Sequence, residues 1–298
     1  ILGASAPKIN NADMKSYGWE MELSWRDRIE DFNYGVRFTL ADGQRKVLKY
    51  PNESGDIYSW YNNKLDGTIW GYTTVGIAQT QEEMDAHLAN NKPNWGSNWG
   101  AGDIMYADLN GDGEVTSGSK TLNDHGDLKV IGNSYARYNF GFTVDGSWRG
   151  LDFSIFLQGT MKRDYWLDGP YFWGASGDEW QSACFTEHLD YWTPEHTNAY
   201  YPKPYFGNIK KNQEVQSGYL QNAAYLRVKN VQVGYTLPKS WTKKAAMESV
   251  RFYVSGDNLL TWTGISSIFD PETLGGDWGP GKLYPLQRTL SVGVNVNF

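Results

Sequence analysis

The chain has 298 residues, a formal net charge of −7, 15% aromatic residues and a mean hydropathy of −0.59. No run of about 18 apolar residues occurs, which excludes a transmembrane helix, and no basic stripe occurs, which argues against nucleic-acid binding. The single cysteine, Cys184, excludes an internal disulfide framework and a cysteine zinc site. Many aromatics at low mean hydropathy suit a transmembrane barrel, where apolar residues fill every second position, and equally a sugar-binding β-sandwich. Residues 1–7 lack the basic start and apolar core of a signal peptide, so the expectation is a chain that starts after processing or, preferably, inside a larger protein.

In chain order, the informative signal is alternation with a period of two, the mark of strands with one apolar and one polar face. Tyr17, Trp19, Met21, Leu23 and Trp25 form the first apolar row, and Phe32, Tyr34, Val36, Phe38 and Leu40 the second. Residues 81–91 suggest a short helix within the long link that follows. The third row is Ala136, Tyr138, Phe140, Phe142 and Val144, and the fourth Leu151, Phe153, Ile155 and Leu157. The fifth begins at Leu226 and Val228, then changes phase to Val231, Val233 and Tyr235, which predicts a β-bulge near Lys229 and Asn230. Val250, Phe252 and Val254 mark the sixth strand, and Leu290, Val292, Val294, Val296 and Phe298 the seventh. These strands are about 10 to 15 residues long, matching the roughly 9 to 11 that span a bilayer better than the five or six usual in soluble sheets.

The links alternate strictly between short and long. Short ones lie near residues 29–31, 148–150 and 238–248, and long ones near 45–133, 161–219 and 263–284. Outer-membrane barrels sort their connections in this way, into short periplasmic turns and long extracellular loops, whereas a soluble sandwich has no reason to. Seven strands do not close a bacterial barrel, which takes an even number. The outer edges of the first and seventh strands are therefore expected to pair with polypeptide outside this sequence, since unpaired backbone in a bilayer finds no water.

With these elements in place, five segments resemble a known family. Residues 102–116 (GDIMYADLNGDGEVT), followed by 127–159 (DLKVIGNSYARYNFGFTVDGSWRGLDFSIFLQG), are similar to the C-terminal third of SusC/RagA TonB-linked outer-membrane proteins. AYLRVKNVQVGYTLP and VRFYVSGDNLLTWT resemble two further segments of that family, and YPLQRTLSVGVNVNF its last barrel strand. The resemblance implies an all-β fold: residues 1–298 as the last strands of an antiparallel transmembrane barrel of the 22-stranded class, without its plug and N-terminal strands. It further implies location in the outer membrane, TonB-dependent import of glycans or, in one branch, peptides, and a SusD-like lipoprotein lid. TonB contact belongs to the missing N-terminal part, along with the rest of the barrel and plug. Phe298 resembles the terminal aromatic read by the insertion machinery. The alternatives are a secreted glycan-binding β-sandwich and a surface enzyme; strand length and loop asymmetry favour the barrel.

Asp108, Asn110, Asp112 and Gly113 match the opening positions of an EF-hand-type calcium loop, with the Glu114 carbonyl as the next ligand. Position twelve holds Ser119, and the resemblance instead matches Asp127, with Asp124 as a second candidate. Such a calcium would be structural; an ion-free turn has the same composition. Trp95, Trp99, Trp166 and Trp173 are candidate cargo-stacking residues among the loop aromatics, which include Trp180, and loop packing is the competing reading. Trp25, Trp148, Tyr235 and Trp262 suit an interfacial girdle. Arg37, Arg137 and Arg251 suit salt-bridge ladders to Glu20, Glu22, Asp145 or Asp257. His87, His125, His188 and His196 are scattered and no carboxylate pair stands out, so no enzyme is expected.

Overall fold

The structure, a computed structural model, describes residues 10–174, 184–205, 207, 210–275, 279 and 281–298. Trp180 lies outside the described residues. Seven long strands form one sheet in chain order: β1 (Asp13–Ile29), β2 (Phe32–Lys49), β3 (Arg137–Trp148), β4 (Leu151–Lys162), β5 (Gln221–Thr236), β6 (Ser249–Gly264) and β7 (Thr289–Asn297). From β2 to β7 each strand runs antiparallel to its neighbour. Among the described residues, β1 and β7 are the two edges of this meander.

The register converts sequence alternation into one apolar face. Phe32, Trp148, Leu151, Tyr235, Phe252 and Val294 make one cross-strand row. The next is Tyr34, Gly146, Phe153, Val233, Val254 and Val292; beyond it lie Val36, Val144, Ile155, Val231, Gly256 and Leu290. Among the described residues much of this face is open: Val292 is 82% exposed and Trp148 50%, while Tyr34, Val36, Phe153 and Ile155 are half-buried among their strand neighbours. A contiguous open apolar surface of this extent belongs against hydrocarbon, and all-antiparallel pairing satisfies the backbone there.

The opposite face is polar and cross-linked by charge. Arg37 pairs with Glu22 at 2.8 Å, Arg26 with Asp145 at 3.1 Å, and the Arg251 Nε donates to Asp152 at 2.9 Å. Arg137 forms a bidentate pair with Asp42. The ladder expectation holds for Arg37 and Arg251, although Asp152, not Asp257, takes Arg251; Asp257 accepts from the Asn230 amide at 2.7 Å.

The short links behave as read. Glu30 and Asp31 join β1 to β2. Arg149 and Gly150 join β3 to β4 with φ of 46° and 92°, the double positive φ of a type I′ hairpin turn. Only glycine takes Gly150's position without strain, and a Cβ there would also lie 2.6 Å from the Thr236 carbonyl oxygen. The bulge predicted near Lys229 is present, since the register skips that residue against both neighbouring strands. The displaced Lys229 ammonium reaches Glu272 at 3.0 Å.

Two features differ from the sequence reading. β2 continues to Lys49, because beyond Leu40 the apolar alternation stops while backbone pairing does not: the Val47 N–H donates to the Lys64 carbonyl and the Asp66 N–H to that of Arg45. Such strand ends pass beyond the length a bilayer requires. The link after β6 also folds onto the strands. Arg227, buried on β5, pairs with Asp270 at 2.8 Å, and its Nη1 lies 2.7 Å from Glu272. Hydrogen bonds from Arg227 and from the Glu272 and Leu286 N–H groups outweigh burial and hold the Asp270 carboxyl below its usual range.

The chain forms two compact units: most of the strand sheet is one, and Gln44–Tyr135 with Tyr165–Leu220 make up most of the other. This loop unit has its own small pairings, Thr68–Gly71 with Lys129–Asn133 and Thr74–Ile77 with Ile104–Tyr106. Its helix, α1 (Gln81–Leu88), occupies the expected place; the Thr80 hydroxyl caps it by accepting from the Glu83 N–H at 3.1 Å. Met84 on α1 packs with Ala78 and Met105.

The face assignment predicts an asymmetry between neighbouring positions. In the full-length protein, Ile155→Arg should cost about 2 to 4 kcal/mol in folding into lipid vesicles, whereas Ser154→Arg, on the polar face, should cost far less. Equal losses, measured by heat-modifiable gel mobility across a urea series, would reject the assignment.

Candidate functional site

The turn at 108–127 assembles around backbone amides. Asp108 accepts from the N–H groups of Asn110 at 3.1 Å, Gly111 at 2.7 Å and Gly113 at 2.8 Å. Asn110 accepts from Asp112 at 2.9 Å, and Asp112 from Glu114 at 2.9 Å. These donors, that of Gly113 foremost, hold the Asp108 carboxyl below the usual carboxylate range. Asp127 is fully buried and accepts from Leu109 at 2.6 Å and Thr116 at 2.7 Å, next to Asp108. Asp124 instead accepts from the Ser119 N–H at 2.9 Å, in a separate turn. The donor chemistry fits calcium: oxygen only, with two adjoining carboxylates and with Asn110, Asp112 and the Glu114 carbonyl on the same turn. Among the described residues no three His, Cys, Asp or Glu side chains are gathered as an ion-binding group; Asp112 faces the Asn110 amide at 2.9 Å.

The candidate tryptophans build the loop unit's aromatic clusters. Trp95 lies 4.6 Å from Tyr72 and 5.2 Å from Tyr106, ring centre to ring centre, with Trp99 at 6.5 Å. Trp99 also covers the Met84 core. Trp166 lies 6.0 Å from Trp173, which is itself buried against Phe172, Tyr201 and Tyr219. Burial pushes the Tyr72, Tyr106 and Tyr219 hydroxyls well above their ordinary range, so all three stay neutral. A groove of about 470 Å³ opens between Gln81, Asn98, Tyr191, Thr193, Lys203 and Tyr205; none of the four candidate tryptophans lines it.

Sequence reasoning missed a buried polar staple. Lys211 and Asp103, both fully buried, pair at 2.6 Å, joining the link after β4 to the link after β2. The Lys211 ammonium also donates to the Asn98 carbonyl at 2.6 Å and lies 4.3 Å from the Tyr205 ring centre. Asn212 donates to Asp103 at 3.0 Å and accepts from the Ile104 N–H at 3.0 Å. Buried Gln216 donates to the Tyr106 hydroxyl at 3.0 Å and accepts from the Thr74 hydroxyl at 2.8 Å. In the run Lys210, Lys211, Asn212, Gln213 no pattern separates the buried lysine from an ordinary surface one.

Comparison with known proteins agrees with this geometry. The chain is 26% identical to TonB-dependent receptor P3 of Formosa agariphila over 99% of its length, covering 30% of that receptor. It is 22% identical to TonB-dependent receptor SusC of Bacteroides thetaiotaomicron, over 97% of the chain and 27% of SusC. Among solved structures, the RagAB peptide transporter superposes with a TM-score of 0.68 at 21% identity, over 97% of this chain and 30% of that one. The resemblance to SusC/RagA TonB-dependent receptors is borne out. No protein-family model matches the chain. It spans about 30% of the length of the curated relatives it matches. The fold is that of the RagAB barrel, the location is the outer membrane, and a receptor segment, not an enzyme, is what these relatives describe.

The staple makes a clear mutational expectation. Lys211→Met leaves the Asp103 charge buried without its cation and should destabilise the loop unit by about 3 to 5 kcal/mol; pairing it with Asp103→Leu should recover much of the loss. Amide exchange at Ile104 and Tyr106 in the full-length protein reads this directly. Unchanged protection in the single variant would show that the pair holds nothing together.

Proposed function

We propose that this chain is the C-terminal barrel segment of a transporter that imports oligosaccharides across the outer membrane with a SusD-like surface lipoprotein, energised through TonB. The observation that carries the reading is the sequential meander with a continuous apolar face and alternating short and long links, in a chain matching SusC along nearly its whole length. The two free edges require further strands in a bilayer, which fits a barrel completed by polypeptide outside this segment, together with a plug. Aromatic loops suit sugar stacking. Half-buried Trp95, Trp99 and Trp166 offer their remaining ring faces to cargo, and buried Trp173 supports Trp166 from within. Peptide cargo is the second reading, favoured by the superposition on the RagAB peptide transporter. Phe298, 90% exposed, serves in this reading as part of the membrane-insertion signal.

Uptake of labelled oligosaccharides and labelled peptides by cells carrying the full-length transporter and its neighbouring lipoprotein separates the readings. Oligosaccharide uptake that is lost on removing TonB supports the proposal. TonB-dependent uptake of peptides alone would replace the cargo, and uptake of neither would overturn transport.

The same reading assigns calcium to the turn, held by Asp108, Asn110, Asp112, the Glu114 carbonyl and Asp127, at about 2.3 to 2.6 Å from oxygen. Its role is to pin an extracellular loop. Calcium should raise the thermal midpoint of the full-length protein, and Asp108→Ala should abolish that shift while magnesium fails to replace it. A midpoint indifferent to calcium in the unaltered protein would remove the ion from the account.

A further inference from the structure

The link between β5 and β6 is short but unusual in content. Residues 237–248 read LPKSWTKKAAME and carry Lys239, Lys243 and Lys244 beside Trp241. All four are exposed, Trp241 by 64%. The segment is nevertheless folded, not loose. A single helical turn runs over Lys239–Thr242, the Met247 N–H donates to the Thr242 carbonyl at 3.1 Å, and Ala246 closes the turn in a left-handed conformation at φ 54°. The Glu248 N–H donates to the Asn297 carbonyl at 2.8 Å, and the Leu237 N–H to the Val250 carbonyl at 2.9 Å, tying both ends of the turn to strand ends. A fixed turn that leaves a tryptophan uncovered, flanked by three cations, exposes apolar area that water alone would not favour.

Its position supplies the occupant. The turn leaves the sheet at the end where Phe32, Trp148, Leu151, Tyr235 and Phe252 form an apolar row, followed next to the turn itself only by Leu237, Val250 and Val296, at the edge of the lipid-facing surface. A Trp beside lysines just beyond such an edge matches the chemistry of a bilayer interface: the indole sits among headgroups and the ammonium groups meet phosphates. We propose that this turn is a docking surface for anionic phospholipid headgroups on the periplasmic leaflet, holding the barrel's depth at that face. The proposal rests on the barrel reading, which places the short links in the periplasm.

The test uses the full-length transporter in nanodiscs of phosphatidylcholine alone or mixed with phosphatidylglycerol. Phosphatidylglycerol should raise the thermal midpoint of the unaltered protein. In the triple variant Lys239→Gln, Lys243→Gln, Lys244→Gln that rise should fall to about one third or less, with the midpoint in phosphatidylcholine unchanged. Trp241→Ala should lower the midpoint in both lipids. An equal rise in the triple variant and the unaltered protein would overturn the proposal. A separate measurement isolates the topology on which it depends: Lys243→Cys in a Cys184→Ser background, exposed to an impermeant maleimide. Labelling only after the outer membrane is permeabilised upholds the periplasmic placement, so that a failed lipid response then counts against the docking surface alone. Labelling of intact cells would overturn both the placement and the proposal.

Discussion

The constraint on which the strands depend is that a backbone amide in hydrocarbon has no water to turn to. Every N–H and C=O of a spanning strand must meet a neighbouring strand, and every second side chain must be apolar. Both consequences are visible together. The chain runs β1 to β7 with each strand beside its predecessor, and the apolar residues of each strand fall in rows with those of the next. Neither depends on a packed interior: among the described residues the apolar rows stay largely half-buried or exposed, while the polar face is held by Arg–carboxylate pairs such as Arg251 with Asp152.

The loop unit follows the opposite rule. It has water outside and a conventional interior, but little regular structure with which to satisfy its backbone. Its solution is to bury polar side chains that serve as backbone partners. Lys211, Asn212 and Gln216 from one link reach Asp103, Ile104 and Tyr106 on the other, and aromatic rings fill the spaces between them. A buried ion pair of this kind adds little net stability over an apolar pair, but it penalises any arrangement that separates the partners, which suits loops needing one defined shape. The Asp108 and Asp127 turn works similarly, wrapping carboxylates in backbone N–H groups.

What was legible in the sequence was what repeats. Period-two alternation located all seven strands, the phase change at Val228 to Val231 located the bulge at Lys229, and the spacing of links separated hairpin turns from loops. Strand ends such as residues 41–49 were lost because they lie beyond hydrocarbon and no longer need an apolar face. The Lys211–Asp103 staple and the Arg227 clamp on Asp270 were lost for another reason: each joins residues far apart in the chain, and a lysine bound for the interior has the same local context as one bound for water. The tryptophans were correctly found in the loops, while their packing on one another depends on tertiary proximity that spacing does not encode.

The central claim is that one face of this sheet meets lipid and the other water. Spin labels placed singly at residues 290 to 296 of β7, in the full-length protein reconstituted in bilayers, test it most directly. Accessibility to oxygen should peak at 290, 292, 294 and 296, and accessibility to a water-soluble nickel complex at 291, 293 and 295. A flat profile, or the same oscillation with the phase reversed, would contradict the account.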